Sequence, residues 1–209
     1  YTTSNVACDW NQLIMETLKR VAARHGLVAL LHEKPFTGVN GSGKHNNWSM
    51  LTDDDVNLLE PGTSPQDNAQ FLLFLSAVIK AVDIYAPLIR MSAANTGNDH
   101  RLGAHEAPPA IISIFLGDLL TEILDKLSRG ECVKTNGKSR LEIGVTCLPK
   151  LPKDLTDRNR TSPFAFTGNK FEFRMVPSSE SVAGPNVALN TAVAEVLSGY
   201  ADILEKSRD

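Results

Sequence analysis

Two short stretches place side chains capable of chemistry at alternating positions. In residues 44–51 a strand of period two puts His45, Asn47 and Ser49 on one face and Lys44, Asn46, Trp48 and Met50 on the other. An imidazole and two hydrogen-bonding groups then share a surface suited to a cation, a phosphate or another polar ligand, although a histidine with a purely structural role gives the same pattern. In residues 170–176 the alternation sets Lys170, Glu172 and Arg174 against Phe171, Phe173 and Met175. Unpaired charges inside a protein cost several kcal/mol. The three charges therefore form either a surface ladder of ion pairs or a carboxylate held for a metal beside cations held for phosphate or carboxylate.

Three loops add candidates. Asn40-Gly41-Ser42-Gly43 runs directly into the His45 strand, and its glycines let backbone groups approach a small ligand. NGSG is equally an ordinary turn. Residues 95–108, NTGNDHRLGAHEAP, carry Arg101, capable of bidentate recognition, and the carboxylate of Glu106 with little apolar anchoring. Such a loop is plain surface or a mobile lid. Arg158-Asn159-Arg160-Thr161-Ser162 is a compact basic segment that suits phosphate oxygens or forms a solvated turn.

Positioning these groups requires a scaffold. Asp9 is placed to cap a helix whose Leu13, Ile14, Leu18, Val21 and Ala22 share a stripe that ends near His25 and Gly26. The apolar run 27–31 predicts a buried strand, and Pro35 and Gly38 a loop. Residues 65–85 and 109–129 predict two long helices, the second stopping at Gly130, with a polar loop over 92–107. Residues 137–163 are mostly irregular with a short strand at 143–145, and a helical pattern occupies 190–206. No repeat or linker divides the chain, so 1–209 is taken as one unit of α+β class, antiparallel strands with helices packed outside.

Composition narrows the function classes. With 209 residues, 42% hydrophobic and 22% charged, the chain can bury a real core. A net charge of −3 without charge blocks provides no footprint for nucleic acid or an anionic membrane. The apolar stretches 71–82 and 111–120 are interrupted and too short to span a bilayer. Cys8, Cys132 and Cys147 are odd in number and lack a CxxC pair, which argues against a disulfide framework or zinc site and for a reducing, intracellular setting. The start at Tyr1 and the helical pattern running to the end suggest a piece of a longer protein.

Read together and in order, EKPFTGVNGSGKHNNWS, GNDHRLGAHEAPPAIISIFLGD, RNRTSPFAFTGNKFEFR and GPNVALNTAVAE resemble the catalytic core of glutamine synthetases of the long (type III) class, from about Asn11 onward. The spelling KHNNWS points to that class, because the shorter family members have a second histidine where this chain has Asn47. The resemblance implies a curved antiparallel sheet lining the site and ATP-dependent ligation of ammonia to glutamate through γ-glutamyl phosphate. It assigns His45 and Glu172 to Mg2+ (or Mn2+), and Asn47, Ser49, Arg160 and Lys170 to ATP, a co-substrate. Asn40 and Gly41 fall to the glutamate amino end, Arg101 to its carboxylate, and Arg174 to its side chain or the acyl phosphate. Glu106 lies in the flap over the ammonium site, in a stretch one residue shorter than in the common members, and joins Arg160 and Arg174 as a catalytic residue. Lys170 stands where the family often has an arginine.

The same likeness implies a cytoplasmic (or organellar) homo-oligomer of stacked rings, a dodecamer, with sites between subunits. Family members take most of their metal ligands from earlier strands, so this stretch alone is expected to be inactive or nearly so. Two alternatives stand beside this reading: a γ-glutamyl-amine ligase of the same family, against which the acidic Glu106 argues, and a non-catalytic regulatory homologue.

Overall fold

In the computed structural model, which describes residues 2–131, 140–141, 151–152 and 162–207, the elements follow in this order. They are α1 (Ser4–Arg24), β1 (Gly43–Trp48), α2 (Ala69–Ile84), α3 (Ala86–Met91), α4 (Thr96–Arg101), β2 (Ile114–Phe115), α5 (Asp118–Ser128), β3 (Arg140–Leu141), β4 (Leu151–Pro152), β5 (Phe164–Phe166), β6 (Phe171–Pro177) and α6 (Ala183–Lys206). The main sheet has the order β1-β6-β5-β2, and β3 pairs with β4 separately. Central β6 is antiparallel to both neighbours, while β2 joins β5 in parallel at the edge. The α+β class and the largely antiparallel sheet follow the sequence reading.

The phenylalanines that alternate along β6 explain why the sheet has one wet and one dry face. Phe171 and Phe173 are fully buried and meet Phe164 and Phe166 of β5. Phe164 stacks on Phe171 at 4.6 Å between centroids, Phe166 meets Phe171 edge-on at 5.3 Å, and Phe71 of α2 approaches Phe166 at 5.9 Å. Such pairs add about 0.5–1.5 kcal/mol beyond burial. Helices α2 and α6 complete the core with Leu75, Val78, Val82, Leu189, Val193 and Val196. The side chain of Asn68 caps α2 by accepting from Phe71 N at 3.0 Å. By length and composition α6 could cross a membrane. Its Ala188, Leu189, Ala192, Val193 and Val196 are buried against the core, while Val187, Ile203 and Leu204 are exposed.

Several local expectations need correction. Residues 27–31 form no strand, and Leu27, Val28 and Leu30 are 66%, 83% and 55% exposed. A strand needs a hydrogen-bonding neighbour, and among the described residues none lies beside this run. The predicted helix over 109–129 is two elements. Ile111, Ile112, Ile114 and Phe115 favour extended backbone, β2 forms there, and Gly117 at φ 81° turns the chain into α5. The stop at Gly130 stands, with φ 70°. The polar loop over 92–107 contains the short helix α4, capped by Asn95, which accepts from Asn98 N. Helix α1 starts at Ser4, so Asp9 lies inside it, and its apolar stripe is open, with Leu13 67% exposed. The strand expected at 143–145 lies outside the described residues.

Candidate functional site

On the wet face of β1 and β6, three expected residues touch. His45 Nδ1 lies 2.7 Å from Glu172 Oε1. The other carboxylate oxygen, Oε2, accepts from Arg174 Nε at 2.9 Å and pairs with Arg174 Nη2 at 2.8 Å. Glu172 is thus divided between an imidazole and a guanidinium, one oxygen to each. Arg174 is 2% exposed, and its Nη1 also reaches Ser162 O at 3.4 Å. A buried arginine of this kind requires carboxylate and carbonyl partners, since removing one partner of such a pair is strongly destabilising. Asn47 stands directly opposite Glu172 in the β1–β6 register and is exposed on the same face.

The register slips by one residue beside His45. Lys44 faces Val176 and Asn46 faces Phe173, so Arg174 and Met175 together oppose His45 in a β-bulge. Helix α4 meets the carbonyls of the bulge. Arg101 Nη2 donates to Arg174 O at 3.1 Å, and Asn98 Nδ2 donates to Met175 O at 2.8 Å. Asn98 Oδ1 accepts from Arg101 Nη1 at 2.8 Å.

Arg101 also explains the NGSG turn. A Cβ on Gly43 would overlap the Arg101 guanidinium, and one on Gly41 would lie 2.5 Å from Glu33 O and 2.8 Å from Arg101 Cγ. Both glycines are therefore required by close approach, and the turn lies on the arginine side chain. Ser42 N fixes the turn from the other side by donating to Glu33 O at 2.8 Å. Arg101 is 5% exposed, and burial pulls its pKa down despite the opposing charge of Glu33. It remains a cation, given the strength of the guanidinium base.

Glu33, which the sequence reading passed over, anchors this region. It is 2% exposed and accepts from Ser179 N at 2.9 Å, from Ser179 Oγ and from Asn95 Nδ2 at 3.4 Å. Burial alone would raise its pKa, but the hydrogen bonds from Ser179 and Asn95 outweigh it and hold the carboxyl below the ordinary glutamate value. Lys44 donates to Glu180 O, and burial lowers its pKa against the pull of nearby acidic groups. Two asparagines of α6 grip the underside of β1: Asn46 Nδ2 donates to Asn186 Oδ1 and Trp48 Nε1 to Asn190 Oδ1, both at 2.8 Å. The spacing of Asn186 and Asn190, one helical turn apart, was the available signal.

Ser49 and Lys170 meet at a shared neighbour. Ser49 Oγ donates to Asn57 Oδ1 at 2.6 Å and lies 3.2 Å from Asn169 O, while Lys170 Nζ reaches Asn169 Oδ1 at 3.5 Å. Asn40 is exposed at the start of the NGSG turn. Glu106 is exposed in a loop closed at its base by Gly103 N donating to Pro108 O at 2.8 Å. Gly103 at φ 76° and His105 at φ 53° shape that loop. Arg160 lies outside the described residues.

The structure therefore joins His45, Glu172 and Arg174 directly, Asn47 to them through register, Gly41 to Arg101 through packing, and Ser49 to Lys170 through Asn169. Glu106 stands apart in its loop. A divalent cation could take one nitrogen from His45 and one oxygen from Glu172, whose nearest atoms converge within 2.7 Å and whose side chains are 39% and 18% exposed. The carboxylate is the hard donor that Mg2+ and Mn2+ prefer. No cluster of three or more His, Cys, Asp or Glu exists among the described residues, so the pair fits such an ion as part of a ligand set.

The family model for the glutamine synthetase catalytic domain matches residues 1–112, more than half of the chain. A type-3 glutamine synthetase of Dictyostelium discoideum is 58% identical over 197 residues, covering 94% of this chain and 27% of that protein. A glutamine synthetase of Butyrivibrio fibrisolvens is 60% identical over 172 residues, 82% of this chain and 24% of its own length. A third, from Bacteroides fragilis, is 47% identical over 209 residues, 99% and 29% respectively. The chain spans about a quarter of the length of these relatives.

Proposed function

The chain belongs to the glutamine synthetase family, and from that premise we propose that the protein carrying it ligates ammonia to L-glutamate at the expense of ATP, through γ-glutamyl phosphate. The observation that carries this reading is the contact of His45, Glu172 and Arg174 on adjacent strands, a carboxylate shared between an imidazole and an arginine on an open polar face.

A carboxylate is a poor acceptor for an amine until it gains a leaving group. An oxygen of the glutamate side chain attacks the γ-phosphorus of ATP, the bond to the β-γ bridging oxygen breaks, and ADP departs. Ammonia then adds to the acyl carbon and inorganic phosphate leaves. Both steps concentrate negative charge, so positioned cations are the main requirement. Arg174, held by Glu172 and β5-side carbonyls, steadies the glutamate side chain and its acyl phosphate. Arg101, beneath the NGSG turn, takes the substrate carboxylate, while Asn40 and the Gly41 backbone receive its amino end. Asn47, Ser49, Lys170 and Arg160 line the nucleotide. Glu106 attracts ammonium and accepts its proton as the loop excludes water. A Mg2+ or Mn2+ ion held by His45 and Glu172 would neutralise polyphosphate charge.

Because His45 and Glu172 supply only part of a ligand set, the chain alone is inactive or nearly so, and the full-length protein forms a homo-oligomeric ring, a dodecamer in the cytoplasm, whose sites draw on neighbouring subunits. The test is ATP-, magnesium- and ammonium-dependent γ-glutamyl transfer by the full-length protein beside its Glu172→Ala variant. Strong activity in the first and a loss of about a thousandfold or more in the second is expected. A full-length protein that uses alkyl amines but not ammonium would replace this reading with γ-glutamyl-amine ligation, and one with no transfer at all would replace it with a regulatory role.

A further inference from the structure

Asn98 has no exposed surface, yet it lies within six residues of segment made almost wholly of polar side chains. Every polar atom of its side chain is used. Nδ2 donates to Ala93 O at 2.6 Å and to Met175 O at 2.8 Å, and Oδ1 accepts from Arg101 Nη1 at 2.8 Å. Its backbone N donates to Asn95 Oδ1 at 2.6 Å, and Asn95 Nδ2 donates in turn to Glu180 Oε1 at 2.7 Å. Two donors and one acceptor on a short stem are what an asparagine amide alone offers. Aspartate would turn the donating edge into an acceptor facing two carbonyls, and leucine would leave all three partners orphaned.

These contacts join two parts of the molecule that sequence places far apart. One is Arg101, aimed by Oδ1 under Gly43. The other is the bulge on β6, where Arg174 O and Met175 O are held from α4. An interrupted ladder leaves such carbonyls in need of partners. We propose that Asn98 is a positioning residue that fixes Arg101 against the β6 bulge, so that Arg101 and Arg174 address the two ends of one glutamate at a set separation. This rests on the ligase reading and goes beyond it, since Asn98 has no exposed surface with which to meet a substrate.

The test compares steady-state kinetics of the full-length protein with those of Asn98→Asp and Asn98→Ser. In Asn98→Asp the glutamate KM should rise tenfold or more. The ATP KM should stay within about twofold, because Asn47, Ser49 and Lys170 are held from β1 and Asn169 rather than from α4; the fall in kcat should be smaller than the rise in glutamate KM. A residue that only supported folding would lower the active fraction and leave both KM values in place. If Asn98→Asp does not accumulate as folded protein, Asn98→Ser, which leaves a small cavity and a hydroxyl instead of a buried charge, carries the same expected split. A folded variant with an unchanged glutamate KM overturns the inference while leaving the ligase reading intact. A full-length protein that forms no glutamine overturns both.

Discussion

Replacing Gly43 by alanine tests the packing of the NGSG turn most directly. The added methyl would occupy the space of the Arg101 guanidinium. That group is at the end of a flexible side chain, but it has nowhere convenient to go: it is 5% exposed and bonded to Asn98 Oδ1 and Arg174 O. Forcing extra atoms into a packed interior costs about 1–3 kcal/mol. Each hydrogen bond from a charged donor that is lost adds about 1.5–3 kcal/mol. Since one of the two bonds can re-form after a shift, the expected destabilisation is about 2.5–6 kcal/mol. Chemical unfolding followed by tryptophan fluorescence measures it, because Trp48 sits in the same strand at 7% exposure. The decisive comparison is the double variant Gly43→Ala with Arg101→Ala. Removing the arginine opens the space that the methyl needs, so the double variant should be less destabilised than the two singles together, by about 1.5 kcal/mol or more. Gly199→Ala is the control: nothing lies near its position in α6, and it should stabilise by about 0.5–1 kcal/mol. Strict additivity of Gly43→Ala and Arg101→Ala would refute the reasoning.

Other outcomes follow from single contacts. Glu33, with a lowered pKa, contributes stability that is complete above the unfolded glutamate pKa of about 4.3 and is lost as pH falls through the lower folded value. Unfolding midpoints should therefore decline more steeply below that pH in the parent than in Glu33→Gln, and parallel acid profiles would contradict it. Asn190→Ala leaves the buried Trp48 indole N–H without its acceptor and should cost about 1–3 kcal/mol in chemical unfolding, whereas Asn190→Asp, which keeps an acceptor, should cost less. Glu172→Gln should reduce ligase activity nearly as far as Glu172→Ala, since a neutral amide is a poor ligand for a hard divalent cation even where its oxygen still accepts from Arg174, and retention of half the parent rate would exclude the proposed metal role.

What could be read in the sequence was whatever obeys a short period. The alternation across His45 and Asn47 and across Glu172 and Arg174 set their faces correctly, because a strand with one dry side admits only one assignment. Contacts between distant segments left no such trace. Glu33 meets Ser179 and Asn98 meets Met175 only once the sheet is built. Each looks like an ordinary polar residue in a loop or helix until then. The run over 27–31 misled for the opposite reason: its composition suits a strand, but pairing depends on a neighbour that composition does not contain. Likewise the proline at 109 suggested a helix start, while the isoleucines after it and Gly117 decided the backbone.

The bulge on β6 changes what an in-frame codon loss would do. Phe171, Phe173 and Val176 all face β1 residues on the dry side, although 173 and 176 differ in parity. Deleting either Arg174 or Met175 would restore a regular ladder and a uniform alternation. Phe173 and Val176 would keep their places on the dry side, but the strand would lose one of the two carbonyls, Arg174 O and Met175 O, that Arg101 and Asn98 hold from α4. A protein engineer who idealised this sheet for its regularity would thus loosen the hold of α4 on it, and a comparison of related chains should find the length of this strand less free to vary than its loops.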